Sequence, residues 1–207
     1  MHQFGLKRRR PPQADTKGYF QKRNPLSFAK NLLVRVKDKT FQPLISEQAL
    51  LKRVEALGAQ ITKEYKGKNP LFIVVLNGAF LFAAELFKRL DLECEVCFIQ
   101  LSSYVGTGSA GKVAFMMQLS ETVRGRDVII IEDIVDTGRT LSEFLPHLQL
   151  ENPAGIRIAS LLSKPSALKE KITIDYLGFE IEDKFVVGFG LDYDGAGRNL
   201  PGIFQLA

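Results

Sequence analysis

The residues best suited to chemistry form one continuous run at positions 132–140, with the sequence EDIVDTGRT. The run follows an apolar strand pattern and precedes a helical pattern, so its backbone N–H groups and threonine hydroxyls would face an anion at a helix N-terminus. Acidic side chains repel a phosphate, so three acids beside it predict sugar hydroxyls or a magnesium ion as their partners. The alternative is an ordinary strand-to-helix turn capped by aspartates, which three acids in five positions followed by TGRT disfavour.

Alternating strand and helix patterns surround this run. Ser46 can cap a helix whose apolar residues recur at Leu50, Val54, Leu57 and Ile61. Further helices are predicted at about 80–90 and at 141–150, and strands at 71–76, 94–101, 112–118, 127–131, 156–162, 173–177 and 185–187. This order predicts an α/β domain with a mostly parallel sheet, in which ligands bind beyond the carboxyl ends of the strands. The Gly/Ser-rich segment before residue 112 is typical of a long hairpin or a mobile loop.

The composition fits one globular domain of 207 residues, with 45% hydrophobic and 25% charged residues. The formal net charge of +5 is uneven, because residues 1–27 carry seven basic side chains against one acid and the rest carries −1. We therefore expect a basic, disordered tail at 1–27 and a single domain at 28–207. The basic pI belongs to the tail, which argues against a body that binds nucleic acid.

No segment predicts a membrane span or a secretion signal. The apolar stretch 71–87 is shorter than a spanning helix and is interrupted by polar residues, and the basic N-terminus lacks an apolar core. Cys94 and Cys97 form a lone pair in an apolar run, for which packing is favoured over metal or redox use. A cytoplasmic protein is expected.

Two further motifs resemble nucleotide or calcium loops and are rejected on context. Residues 106–111 match GxGxxG and, with Lys112, nearly match a phosphate-binding loop. Both need a helix to follow, whereas an extended pattern follows here, and Val113 stands where a magnesium-binding Ser or Thr is needed. The run DYDG at 192–195 lacks the glutamate of a calcium loop.

The run 132–140 closely resembles the ribose-phosphate signature of type I phosphoribosyltransferases. Its residues resemble the form of that signature in the hypoxanthine-guanine branch. Four other segments resemble that branch in the same order, at 76–79, 102–104, 158–164 and 183–193. The resemblance covers about residues 43–205. It implies a mostly parallel twisted sheet flanked by helices, a small hood and a mobile active-site loop. It also implies purine salvage, in which 5-phosphoribosyl 1-pyrophosphate (PRPP) and hypoxanthine, or guanine, give IMP or GMP and pyrophosphate with Mg²⁺.

The resemblance implies a role for each matching residue around the ribose phosphate. Glu132 and Asp133 would hold the ribose hydroxyls near magnesium, and Asp136 would be the catalytic acid/base near N7 of the purine. The 5′-phosphate would be cradled by Thr137, Gly138, Arg139 and Thr140, and Asp136 would also belong to this PRPP-binding group.

It implies three more groups of residues. In the purine group, Lys164 would donate to O6, Phe185 would stack on the ring and Val186 would meet the base edge through its backbone. Asp192 also belongs to this group and would in addition bind magnesium. The pyrophosphate group would be Asn77, Gly78 and Arg198. Ser103 and Tyr104 would lie on a lid that excludes water.

This chain departs from the family pattern in two places. Asn77 stands where several relatives have a lysine, which puts charge-based pyrophosphate binding there in doubt. The segment 165–168 replaces basic residues that follow the purine-contacting lysine in many relatives. Neither departure touches the run 132–140.

Two other classes of function stay open on the sequence. One is a PRPP-sensing regulator that binds nucleic acid through the basic tail. The other is an adenine or orotate transferase, which Lys164 and the run KFVV at 184–187 disfavour. The expected partners are small-molecule substrates, with no membrane partner, nucleic acid disfavoured, and a homodimer or homotetramer as the assembly.

Overall fold

The structure is a computed structural model that describes residues 33–103, 113–116 and 123–207. The predicted tail at 1–27, Tyr104 and the glycine-rich motif at 106–111 lie outside the described residues. The elements in chain order are β1 (Val34–Val36), β2 (Lys39–Ile45), α1 (Glu47–Glu64), β3 (Leu71–Leu76), α2 (Phe80–Phe87), β4 (Glu95–Ser103), β5 (Val113–Met116), β6 (Asp127–Val135), α3 (Arg139–Leu150), β7 (Gly155–Ser163), β8 (Tyr176–Glu180), β9 (Val186–Val187) and β10 (Ile203–Leu206).

The central sheet has the strand order β5-β4-β3-β6-β7-β8. Strands β4, β3, β6, β7 and β8 are parallel, and β5 pairs with β4 in the antiparallel direction. The predicted mostly parallel sheet is therefore confirmed. The central strand β3 is apolar throughout and its residues Leu71–Val75 are buried, because a parallel strand covered on both faces meets no water.

Helix α1 forms where the spacing of its apolar residues predicts it. Ser46 caps the helix, and its Oγ accepts a hydrogen bond of 3.2 Å from the Ala49 backbone N–H. The buried stripe of α1 is Leu50, Val54, Leu57 and Ile61. Burial of each such side chain contributes about 1.5–3 kcal/mol. This stripe therefore fixes α1 on the sheet.

Helices cover both faces of the sheet. Phe82 and Leu86 of α2 join α1 on the face that carries Phe72 and Ile129. On the other face, Leu141, Phe144 and Leu148 of α3 pack against the alternate residues of β3 and β6. The loops after β3, β6 and β7 are thereby held at one edge, where their carboxyl ends meet.

A second sheet forms the small hood, with the antiparallel order β1-β2-β10-β9. The sequence patterns predicted neither β1, β2 nor β10. Strands β1 and β10 are short, and β2 pairs with β10 across the length of the domain, as Phe41 does with Leu206. Long-range pairing leaves no local signal in a sequence.

Three of the predicted boundaries near the site are wrong in detail. Strand β6 continues to Val135 rather than ending at Ile131, because its pairing with β7 continues through Glu132↔Ser160 and Ile134↔Leu162. Glu132 and Asp133 thus lie in a strand and not in a turn. Helix α3 begins two residues early, at Arg139, and β8 begins late, at Tyr176.

In the part of the chain that the structure describes, no helix is long and apolar enough to cross a membrane.

Candidate active site

At the carboxyl edge of the sheet the backbone of Gly78 is in close contact with the Asp133 side chain and with the backbone of Gly190. A Cβ added to Gly78 would lie 1.5 Å from Asp133 Oδ2, and a Cβ on Gly190 would lie 2.0 Å from the Gly78 carbonyl oxygen. The loop after β3 is therefore in contact with the end of β6 on one side and with the loop after β9 on the other. These close approaches are the physical reason for glycine at 78 and 190.

Arg198 connects the loop that carries Gly190 to Asp192. Its Nη1 donates to the Gly190 carbonyl at 2.7 Å, and its Nη2 lies 2.7 Å from Asp192 Oδ1. The other oxygen of Asp192 accepts a hydrogen bond from the Gly195 N–H at 2.6 Å. The fold thus brings together Gly78, Asp133, Asp192 and Arg198, which the sequence assigned to pyrophosphate and metal.

Glu132 and Asp133 form a buried carboxylate pair, and the Arg198 charge offsets part of the rise in the Asp133 pKa. Burial raises the pKa of Glu132 well above its ordinary value, and the adjacent Asp133 charge raises it further. Glu132 Oε2 is buried and has no hydrogen-bond partner within the described residues. Burial also raises the pKa of Asp133, partly offset by hydrogen bonds from Glu132 and from the Ile134 N–H at 2.8 Å. Such a pair costs stability and is suited to receive a cation or hydroxyl donors.

The run between β6 and α3 lines a concave pocket of about 80 Å³. Its walls are Glu132 and residues 134–141. Gly138 has a φ of +78°, which turns the chain into the helix, and a Cβ there would lie 3.0 Å from Ile172 Cγ1. The Thr137 carbonyl accepts hydrogen bonds from the backbone N–H groups of Lys169 and Glu170. The segment after β7 thereby holds the pocket backbone in place at the N-terminus of α3, where an anion is favoured.

Lys164 is buried at the end of β7, with only 6% of the residue exposed. Its Nζ lies 2.8 Å from Asp136 Oδ2 and 3.2 Å from Asp183 Oδ1. Burial lowers the pKa of Lys164, but the hydrogen bonds and charges of these two carboxylates outweigh it, so the pKa is raised overall. Lys164 is therefore a charged donor, and two of its three N–H bonds have carboxylate acceptors.

Phe185, two residues after Asp183, presents an aromatic surface. The residue is 47% exposed, and its ring is supported by Tyr193, edge-on at a centroid distance of 5.8 Å, and by Phe41 at 6.3 Å. Val186, which follows it, is buried in β9 and pairs with Gln205 of β10. An exposed ring on a fixed support is suited to stacking against a flat base.

The remaining predicted residues are placed less tightly. Arg139 points away from any acid of the run, with its Nε 2.7 Å from Glu143 on the next turn of α3. Asn77 follows β3, after a cis peptide bond between Leu76 and Asn77. Ser103 ends β4 and pairs with Val113 across the predicted hairpin, whereas Tyr104 lies outside the described residues.

Sequence reasoning gave no role to three residues that the structure brings to the site. Asp183 contacts Lys164, Gly190 contacts Gly78 and Tyr193 supports Phe185. All three lie in the segment 183–193 that carried the resemblance, so the segment was found. Their individual roles depend on contacts between distant parts of the chain.

The donors available for a metal are carboxylate oxygens. No group of three or more His, Cys, Asp or Glu side chains forms a complete metal site within residues 33–103, 113–116 and 123–207. Mg²⁺ seldom uses such a cage, because it keeps several waters and binds through one or two carboxylates and substrate phosphates. The orphaned oxygen of Glu132 and the carboxylates of Asp133 and Asp192 fit that mode of binding.

Comparison with known proteins agrees with this geometry. The model of the phosphoribosyl transferase domain family matches residues 44–194. The hypoxanthine-guanine phosphoribosyltransferase of Lactococcus lactis is 46% identical over 159 residues, which cover 76% of this chain and 86% of that protein. The enzyme of the same name from Bacillus subtilis is 47% identical over 159 residues, covering 76% and 88%. A crystal structure of a hypoxanthine phosphoribosyltransferase from Staphylococcus aureus superimposes with a TM-score of 0.76 at 40% identity, covering 80% of this chain and 90% of that one.

Proposed function

The chain belongs to the phosphoribosyl transferase domain family, and from that premise we propose that it is a hypoxanthine(-guanine) phosphoribosyltransferase of purine salvage. In this reaction the C1′–O bond to pyrophosphate breaks, purine N9 forms a bond to C1′, and the proton on N7 is lost. The products are IMP, or GMP from guanine, and pyrophosphate. The difficulty is electrostatic, because a cationic C1′ and a leaving polyanion must both be stabilised at once.

The contact between Lys164 Nζ and Asp136 Oδ2, at 2.8 Å, carries the proposal. It places a hydrogen-bond acceptor and a hydrogen-bond donor next to each other. A 6-oxopurine offers N7–H to the acceptor and O6 to the donor, which matches this pair. Adenine has an amino group at position 6, so a lysine that can only donate rejects it. Asp136 takes the N7 proton as N9 bonds to C1′, and it returns that proton in the reverse reaction.

The pocket at the start of α3 supports the PRPP half of the proposal. Its backbone N–H groups and the hydroxyls of Thr137 and Thr140 bind the 5′-phosphate, and the helix dipole favours that charge. Glu132 and Asp133 accept hydrogen bonds from the ribose hydroxyls, which supply the partner that Glu132 Oε2 lacks among the described residues. Binding of sugar thus relieves a cost that the free protein carries.

The stack of Gly78, Gly190 and Arg198 supports binding of pyrophosphate. Asn77 carries no charge, so the loop backbone and the guanidinium of Arg198 supply the positive potential. Arg198 would exchange its contact with Asp192 for the leaving group. Ser103 and Tyr104 are proposed to cover the site, so that water does not compete for the cationic C1′.

We also propose that Mg²⁺ is required. Bound with PRPP, the ion would neutralise pyrophosphate charge, and Glu132, Asp133 and Asp192 are the residues proposed to hold it. The proposed location is the cytoplasm and the proposed assembly is a homodimer or homotetramer.

The test is a base panel with purified protein, Mg²⁺ and PRPP. IMP should form from hypoxanthine and GMP from guanine, with no AMP from adenine. Withholding Mg²⁺ or adding a chelator should abolish turnover. Protein that binds PRPP but converts no base would instead support the PRPP-sensing regulator.

Asp136→Asn separates chemistry from binding in the same assay. Loss of a positioned general base lowers kcat by about 10²- to 10⁴-fold. The affinity for PRPP should stay close to that of the wild type, because the phosphate contacts are unchanged. Glu151→Gln at the C-terminal end of α3 is the control, since it removes an exposed carboxylate that has no assigned role in the site. An Asp136→Asn enzyme with wild-type kcat would overturn the assignment of Asp136.

A further inference from the structure

Asp183 is the second carboxylate on Lys164, and no step of the reaction described above uses it. We propose that Asp183 is a positioning residue that holds the Lys164 ammonium against the purine O6 and keeps it charged while Asp136 carries the N7 proton. This inference deepens the proposed function and rests on it. The substrate class that it concerns is the 6-oxopurine.

The backbone places the three side chains independently of one another. The Lys164 N–H donates to the Val135 carbonyl at 3.0 Å, which sets Lys164 beside Asp136. The Ile181 N–H donates to the Ser163 carbonyl at 2.9 Å, which sets the segment before Asp183 beside Lys164. The carboxyl ends of three neighbouring strands, β6, β7 and β8, therefore each deliver one member of the cluster.

The local turn directs Asp183 toward Lys164. The Lys184 N–H donates to the Glu182 carbonyl at 2.7 Å, so Asp183 is the central residue of a tight turn. The turn contains a second cation, Lys184. Its Nζ lies 3.0 Å from Glu182 Oε2, so Lys184 pairs with Glu182 and leaves Asp183 to Lys164. Asp183 has 62% of its side chain exposed, whereas the Lys164 side chain is 8% exposed. The carboxylate thus reaches inward from the rim to a cation that water barely reaches.

The charge balance explains why one carboxylate is not enough. With Asp136 ionised, two negative charges face the buried ammonium. When Asp136 accepts the N7 proton it becomes neutral, and Lys164 would keep no compensating charge if Asp183 were absent. A desolvated ammonium without a partner tends to lose its proton, which would remove the donor to O6. Asp183 does not exchange protons with the substrate, so its charge lasts through the cycle.

The test compares Asp183→Asn with Asp183→Glu and with Glu182→Gln, each in the full-length enzyme. Asn keeps the size and exposure of Asp183 but removes the charge, and Glu restores it. Glu182 is the matched control, because it is one residue away, is exposed and forms its ion pair with Lys184. Steady-state kinetics at saturating PRPP would be measured with hypoxanthine and guanine between pH 7 and pH 10.

For Asp183→Asn we expect KM for both bases to rise about three- to tenfold, with kcat changed about twofold or less. The loss of base affinity at alkaline pH should begin at lower pH than in the wild type, because both carboxylates raise the pKa of Lys164 and only Asp136 remains. Ionisation of the base itself is common to all variants and cancels in their ratio. Asp183→Glu should recover most of the KM, and Glu182→Gln should match the wild type.

Two results would overturn the inference while leaving the proposed function intact. One is a wild-type KM and pH profile in Asp183→Asn. The other is a fall in kcat with KM unchanged, which would assign Asp183 to the chemistry itself. A wild-type protein that converts no purine base would instead overturn the proposed function, and this inference with it.

Discussion

At the amino ends of the parallel strands two acids are paired with donors, whereas at the carboxyl ends Glu132 and Asp133 are buried next to each other. Glu64 accepts a hydrogen bond from Tyr176, which lowers the Glu64 pKa, and Glu95 is bound by Arg126, which lowers the Glu95 pKa. At the opposite edge burial raises the pKa of both Glu132 and Asp133. The fold thus pairs Glu64 and Glu95 with donors at the amino edge, and at the carboxyl edge it leaves one buried oxygen of Glu132 without a partner among the described residues.

The difference teaches where the molecule gives up stability for function. A satisfied carboxylate stabilises the fold by itself, whereas an unsatisfied one becomes favourable only when a ligand supplies the missing partner. Substitutions at the amino edge should therefore change stability and spare activity. Substitutions at the carboxyl edge should do the reverse.

The largest expected effect comes from adding a Cβ at Gly78, where the neighbouring atoms leave no space for one. Gly78→Ala places a Cβ 1.5 Å from Asp133 Oδ2, so either the loop or the carboxylate must move by more than an ångström. A displacement of about 1 Å at reacting groups costs roughly 10²-fold in rate, so kcat/KM should fall by at least that much. The matched control is Gly155→Ala at the amino edge, where a Cβ would meet only Asp127 Oδ1 at 3.5 Å. Gly155→Ala should keep wild-type activity, and a fully active Gly78→Ala enzyme would contradict the close packing described here.

Tyr176→Phe tests the amino edge with the next largest effect. The Tyr176 side chain is buried, and its hydroxyl donates to Glu64 Oε2. Burial, and then the Glu64 carboxylate, raise the pKa of Tyr176, so the hydroxyl stays a donor at neutral pH. Removing this hydrogen bond should lower the free energy of unfolding by about 1–2 kcal/mol, as measured by urea denaturation, with kcat and KM unchanged. A loss of activity without a loss of stability would break the contrast between the two edges.

The smallest expected effects concern how the free energy of unfolding depends on pH at the two edges of the sheet. Glu132→Gln removes a charge whose folded pKa is raised, so it should raise the free energy of unfolding by about 1 kcal/mol at pH 8 while lowering activity. Glu64→Gln removes a charge whose folded pKa is lowered, so it should lower that free energy by roughly 0.5–1 kcal/mol at pH 8.

The changes in the free energy of unfolding caused by Glu132→Gln and by Glu64→Gln should both shrink as the pH falls toward 4. The raised pKa of Glu132 costs stability only above its unfolded value, and the lowered pKa of Glu64 contributes stability that is lost as the pH falls through its folded value. Denaturation curves at pH 8, 6 and 4 for both variants would check the two signs. A Glu132→Gln protein less stable than the wild type at pH 8 would refute the account of the carboxylate pair.

Much of the central domain could be predicted from local pattern. The spacing of Leu50, Val54, Leu57 and Ile61 predicted α1, and the apolar run at 71–76 predicted β3, because burial on one face or on both leaves a period in the sequence. The hood could not be predicted in this way. Its strands β2 and β10 are partly exposed and pair with each other across more than 150 positions of the chain, so only the closed fold reveals that pairing.

The sequence by itself determined which residues bring chemistry to this protein. The run 132–140, Lys164 and the segment 183–193 carry the acids, the cation and the aromatic ring, and their order along the chain is enough to recognise the family. Only the tertiary structure decided which of them meet. The contacts of Lys164 with Asp136 and Asp183, and of Gly78 with Asp133 and Gly190, join the ends of separate strands. Their distances follow from how the parallel strands and the loop after β9 pack, which no local pattern encodes.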